Sequence, residues 1–88
     1  MEEKTLDKFK IDEIGKIKIV NGEGAIRRRL FDMGVTPGAE VKLIKKAPFG
    51  DPIEIKIRSY NLTLRKSEAK NIVMETIEGN KTLWLELH

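Results

Sequence analysis

Four short runs of this chain alternate apolar and polar residues, and each is bounded by glycine, proline, asparagine or serine. They are KIKIV at 16–20, AEVKL at 39–43, PIEIKIR at 52–58 and NLTLR at 61–65. A period of two puts every second side chain on one face, so each run predicts a short strand with one buried face. A fifth run, Ile72 to Ile77, leads through EGN into KTLWLEL. Two runs flanking Gly79-Asn80 predict a tight hairpin, and with it a terminal two-stranded ribbon. Near the N-terminus, LDKFKIDEIG carries apolar residues at Leu6, Phe9, Ile11 and Ile14, a spacing that suits a turn or short helix better than a strand. Ser67 is placed to cap one helical turn over 68–71.

One stretch breaks the alternation. In RRRLFDMGVTPGAEV, residues 27–41, the densest positive charge of the chain runs into Gly34 and then Pro37-Gly38. At 100° per residue, Ile26, Leu30 and Met33 fall within about 60° of one another, a stripe that predicts an amphipathic helix facing a core. Arg27, Arg28 and Arg29 then point about 100° apart and cannot form one patch; Arg28 is expected to pair with Asp32 at i, i+4. Gly34 takes a left-handed cap position without steric cost, and Val35 is expected to fold back on Leu30. Thr36-Pro37-Gly38-Ala39 suits a type II turn. The chain therefore reads as mainly β with one inserted helix.

The chain has 88 residues, room for one domain only, and 40% hydrophobic against 35% charged residues, enough to pack a core. No cysteine is present, which removes disulfides and thiolate metal sites. The longest apolar runs, Ile72 to Met74 and Leu83 to Leu85, fall far short of the ~20 residues that span a bilayer. The N-terminus mixes charge signs and lacks an apolar signal region. A cytoplasmic, soluble protein is expected. Its net charge of +3 is spread out: residues 1–22 carry five lysines against five acids, and no segment forms a basic arm. Catalysis finds little support, because the only histidine is His88 at the chain end and no acids share a converging spacing. No cofactor and no dedicated metal site are expected. Gly22 and Gly24 in VNGEG precede the helix, but Glu23 would repel phosphate and no Lys-Ser or Lys-Thr pair follows, so they read as a plain turn.

Three stretches together resemble one family. R-L-x-x-M-G-V-x-P-G, then A-P-x-G-D-P, then L-x-L-R-x-x-E-A occur in order, covering about residues 11–77. On these motifs the chain resembles the FeoA domains, small cytosolic proteins associated with bacterial ferrous iron uptake. The motif positions here are Leu30, Gly34, Pro37 and Gly38, then Pro48, Gly50, Asp51 and Pro52, then Leu64, Arg65 and Ala69. The resemblance implies a small SH3-like β-barrel with a helix after its first strand, matching the order of elements read from periodicity. It also implies a regulatory protein–protein contact with the cytosolic part of a GTP-dependent ferrous iron permease. Ser59 stands where a glycine is frequent and Thr63 where an alkyl residue is frequent. The expected layout is a single domain over 1–88, with a family-like core at 11–77 and a hairpin extension at 78–88.

Within that frame Phe31, Arg27 and Phe49 are the expected partner-binding residues. Phe31 lies about 140° from Ile26, outside the core stripe, with Arg27 one turn before it. An aromatic beside a guanidinium is typical of binding hot spots. Phe49 is the one member of APFGDP without a turn-making role; it either plugs a barrel end or waits for a partner. In the extension, Trp84 lies opposite Leu83, Leu85 and Leu87, so residues 82–87 either cover the barrel or pair with a second copy; a homodimer is the favoured outcome. The alternative function is a nucleic-acid-binding or repressor-associated module using the lysines of VKLIKK and RKSEAK. Basic and aromatic residues are not interleaved there, so no specific nucleic acid is expected.

Overall fold

A computed structural model describes residues 3–76. The hairpin extension at 78–88, with Trp84 and the dimer surface assigned to 82–87, lies outside the described residues.

Strand β1 (Glu3–Thr5) leads into a single 3-10 turn at Leu6–Lys8. Strand β2 (Ile14–Val20) is followed by helix α1 (Gly24–Asp32) and strand β3 (Glu40–Lys46). A 3-10 turn at Pro48–Gly50 joins β3 to β4 (Ile53–Ile57), and β5 (Tyr60–Leu64) pairs back on β4. Helix α2 (Lys66–Ala69) and strand β6 (Ile72–Thr76) complete the described chain. The six strands form one antiparallel sheet in the order β1-β6-β2-β3-β4-β5. Among the described residues no ladder joins β1 to β5, so the SH3-like barrel is open between its edges.

Every expected strand within 3–76 is present, because alternation supplies one apolar face per strand. Those faces meet in a single core of Ile17, Val20, Val41, Leu43, Ile53, Ile55, Ile57, Leu64, Ile72 and Met74. The N-terminal segment tucks in only in part as expected: Leu6 and Phe9 are fully buried, but Ile11 is 50% exposed and Ile14 begins strand β2 rather than ending a turn. Buried Glu13 holds it there, accepting the Lys10 N–H at 2.8 Å and pairing with the Lys4 ammonium at 2.9 Å. The short strand β1 just before it was not legible.

Two local expectations change. The apolar stripe of α1 buries Leu30, while Met33 packs partly on the core and Ile26 stays 45% exposed. Ile26 sits in the first turn of the helix. In β2, Ile17 is buried but Ile19 is 45% exposed, because the register with β6 shifts between them. A bulge adds one residue and turns the next side chain to the other face.

The end of α1 forms as expected. Gly34 takes φ +88, its N–H donates to the Phe31 carbonyl at 3.0 Å, and the Val35 N–H donates to the Leu30 carbonyl at 2.9 Å. These two bonds make a Schellman cap, and Val35 and Leu30 are both fully buried beneath it. Gly38 takes φ +93 and the Ala39 N–H reaches the Thr36 carbonyl at 3.2 Å, closing the turn that starts β3.

Candidate functional site

The three motif stretches converge in space. Arg29 of α1 places its Nη1 2.8 Å from Oε2 of Glu68 in α2. Glu68 also accepts the Arg65 N–H through Oε1 at 2.9 Å, which caps α2. This corrects the role expected of Ser67: α2 starts at Lys66, Ser67 lies inside it, and the capping carboxylate comes from the third helical position. Asp51 from the β3–β4 loop accepts the Lys66 N–H at 3.1 Å, so it ties that loop to α2 rather than closing a turn on its own backbone. A cleft of about 410 Å³ opens between them, lined by Arg29, Asp51, Pro52, Leu64, Arg65 and Glu68. Glu68 is buried, and burying a carboxylate is costly unless it is paired and hydrogen-bonded; both partners are present here. Among the described residues the Arg65 side chain, which lines the cleft, makes no ion pair or hydrogen bond.

The same loop carries Phe49. Its ring is 98% exposed and its backbone sits at φ 69, ψ 10, a left-handed conformation uncommon for a bulky residue. The loop is closed on itself by the Gly50 N–H to the Ala47 carbonyl at 2.8 Å and the Ala47 N–H to the Pro52 carbonyl at 2.9 Å. Of the two readings of Phe49, plug or partner contact, exposure removes the plug. Among the described residues nothing covers the ring, so no packing there offsets its left-handed backbone.

Arg27 and Phe31 are brought together, the guanidinium 4.5 Å from the ring centroid. Arg27 also donates from Nε to the Val20 carbonyl at 3.1 Å, and Phe31 packs partly on the core. This pair is thus built into the fold as well as presented at its surface. No contact joins it to Phe49. Arg27 and Arg29 lie about 200° apart on the helix, so the Arg27–Phe31 edge and the cleft occupy opposite flanks of α1. Among the described residues Arg28 and Asp32 form no ion pair; of the helix arginines Arg29 pairs, over long range, with Glu68.

Two residues that periodicity did not single out secure the helix. Arg58 donates from Nε to the Gly34 carbonyl at 3.2 Å and from Nη2 to Thr36 Oγ1 at 2.6 Å. The Tyr60 hydroxyl donates to the Met33 carbonyl. Both belong to the β4–β5 hairpin, where Arg58 itself holds φ 59. Carbonyls orphaned at a helix end are thereby satisfied. Only the Arg-Ser pair between two alternating runs hinted at this loop.

Among the described residues no group of three or more His, Cys, Asp or Glu side chains converges, and no helix is long and apolar enough to cross a membrane. By class the chain is a small SH3-like β domain with an exposed aromatic loop next to an arginine-lined cleft. The chain belongs to the FeoA domain family, which matches residues 4–76. It is 36% identical over 63 residues to an Fe(2+) transport protein A/Fe(2+) transporter FeoB fusion protein of Porphyromonas gingivalis, covering 72% of this chain but only 8% of that protein. Among solved structures, a FeoA-like protein from Clostridium acetobutylicum superposes with a TM-score of 0.80 at 39% identity, covering 88% of this chain and 90% of the other. The FeoA of Stenotrophomonas maltophilia, an SH3 domain protein solved in complex with zinc, gives 0.73 at 30% identity, covering 82% and 89%.

Proposed function

We propose that this protein is a cytoplasmic accessory module of bacterial ferrous iron uptake that acts by docking on the cytosolic region of a ferrous iron permease, without chemistry of its own. The observation that carries the reading is Phe49, fully exposed on a loop pinned to α2 through Asp51. A pre-organised aromatic loses little freedom on binding, and aromatic and arginine anchors supply most of the energy of an interface. The Arg65 guanidinium, on the cleft that Asp51 of the same loop lines, adds a charged contact, and Arg27 with Phe31 gives a second, separate edge.

The fused relative supports the choice of partner, since it joins a transport protein A and a FeoB transporter in one polypeptide. Fusion places two domains at high effective concentration, which is productive when they act on each other. The test is co-purification of the protein with the permease's cytosolic region, using Phe49→Ala, Arg65→Ala, Arg27→Ala and Phe31→Ala singly. Loss of capture for Phe49→Ala with an unchanged melting temperature supports the reading. Undiminished capture for all four variants overturns it.

A further inference from the structure

The outer face of the sheet carries a second feature, whose lining does not include the Phe49 loop. An open groove of about 960 Å³ runs across β2, β3 and β4, walled by Lys16, Lys42, Lys56 and Arg58 and by Asp12 and Glu40, with half-buried Ile14 and Ile44 in its floor. Its central rung is unusual. Lys42 and Lys56 are direct cross-strand partners, and Ile14 is the partner of Lys42 on the other side. Like charges directly opposite one another destabilise a sheet. Lys42 has Asp12 at 3.8 Å, and Lys16 lies across from Glu40 on β3, while the Lys16 and Lys56 side chains make no ion pair or hydrogen bond among the described residues. Arg58 is already committed to the end of α1.

We propose that this groove binds an extended acidic–apolar segment of a partner protein. A carboxylate between Lys42 and Lys56 relieves their repulsion, and an apolar side chain two residues along rests on Ile14 and Ile44. The period of two in such a segment matches the period of the sheet face. A nucleic acid fits less well. The groove lining has no aromatic side chain on which a base could stack.

The experiment is an NMR titration of the ¹⁵N-labelled full chain with an N-acetylated Glu-Val alternating octapeptide. A Lys-Val octapeptide and a single-stranded DNA octamer are the controls. The expected result is shifts confined to Ile14, Lys16, Lys42, Ile44 and Lys56 for the acidic peptide alone, weakened by salt. Lys42→Glu gives the central rung opposite charges but gives up the Asp12 contact, so the fold should stay close to native stability while peptide binding weakens by about tenfold or more. Phe49→Ala should bind the acidic peptide normally, which separates this surface from the permease contact. The proposal is overturned if the acidic peptide leaves the groove amides unmoved, if the Lys-Val peptide shifts them equally, if the DNA binds more tightly, or if Lys42→Glu binds undiminished.

Discussion

Arg29 and Glu68, far apart in sequence, meet at 2.8 Å and lock the two helices together on one side of the barrel. Breaking a fully enclosed pair by removing one partner costs roughly 3–5 kcal/mol, because a buried charge is left alone. Here the Arg29 side chain is 61% exposed, so water screens part of the interaction. Arg29→Ala is expected to lose about 1–2 kcal/mol, read as a lower urea midpoint with an unchanged slope. A loss that also narrows the transition slope would mean that the cleft holds the cooperative unit together.

The cap of α1 gives a graded test. At Gly34, φ +88 disfavours any side chain, and an added Cβ would lie 3.1 Å from the Tyr60 hydroxyl. At Gly38, φ +93 imposes a similar backbone cost, but the Cβ would meet nothing within 4 Å. Gly38→Ala is expected to cost about 1–2 kcal/mol from the left-handed backbone alone. Gly34→Ala should cost more, since it also displaces Tyr60 from the Met33 carbonyl. Thermal melts of the two variants should rank in that order.

Lys18 makes β1 sensitive to alkali. Its ammonium bonds Glu3 and lies 3.9 Å from Glu75, two acids that face each other across β1 and β6. The hydrogen bond to Glu3, then the charges of Glu3 and Glu75, raise its pKa above the ordinary 10.5. A group whose pKa rises on folding contributes stability fully below its unfolded value and loses it as pH climbs through the folded one. The advantage of the native chain over Lys18→Met should therefore be present below pH 10.5 and vanish above the raised value. Urea midpoints of both proteins across that range check it.

How much was legible follows from the range of each interaction. Strands β2 to β6 were readable because alternation is local, and so were the Schellman cap and the turn at Gly38, whose residues sit within a few positions of one another. The exposure of Ile19 was not, since the bulge depends on the register with β6. Nor was the pairing of Arg29, which passes over its near neighbours for Glu68. Of the expected site residues, Arg27 and Phe31 do touch, because they lie one helical turn apart. Their separation from Phe49 is set by how the β3–β4 loop packs on α2, which no local pattern encodes.

The central claim is that Phe49 is held in water for a partner. Isothermal titration of the permease's cytosolic region with the native chain and with Phe49→Ala tests it most directly. The predicted result is a loss of affinity of about tenfold or more, equivalent to about 1.4 kcal/mol, with the melting temperature of Phe49→Ala unchanged. Equal affinity for the two proteins would contradict the account.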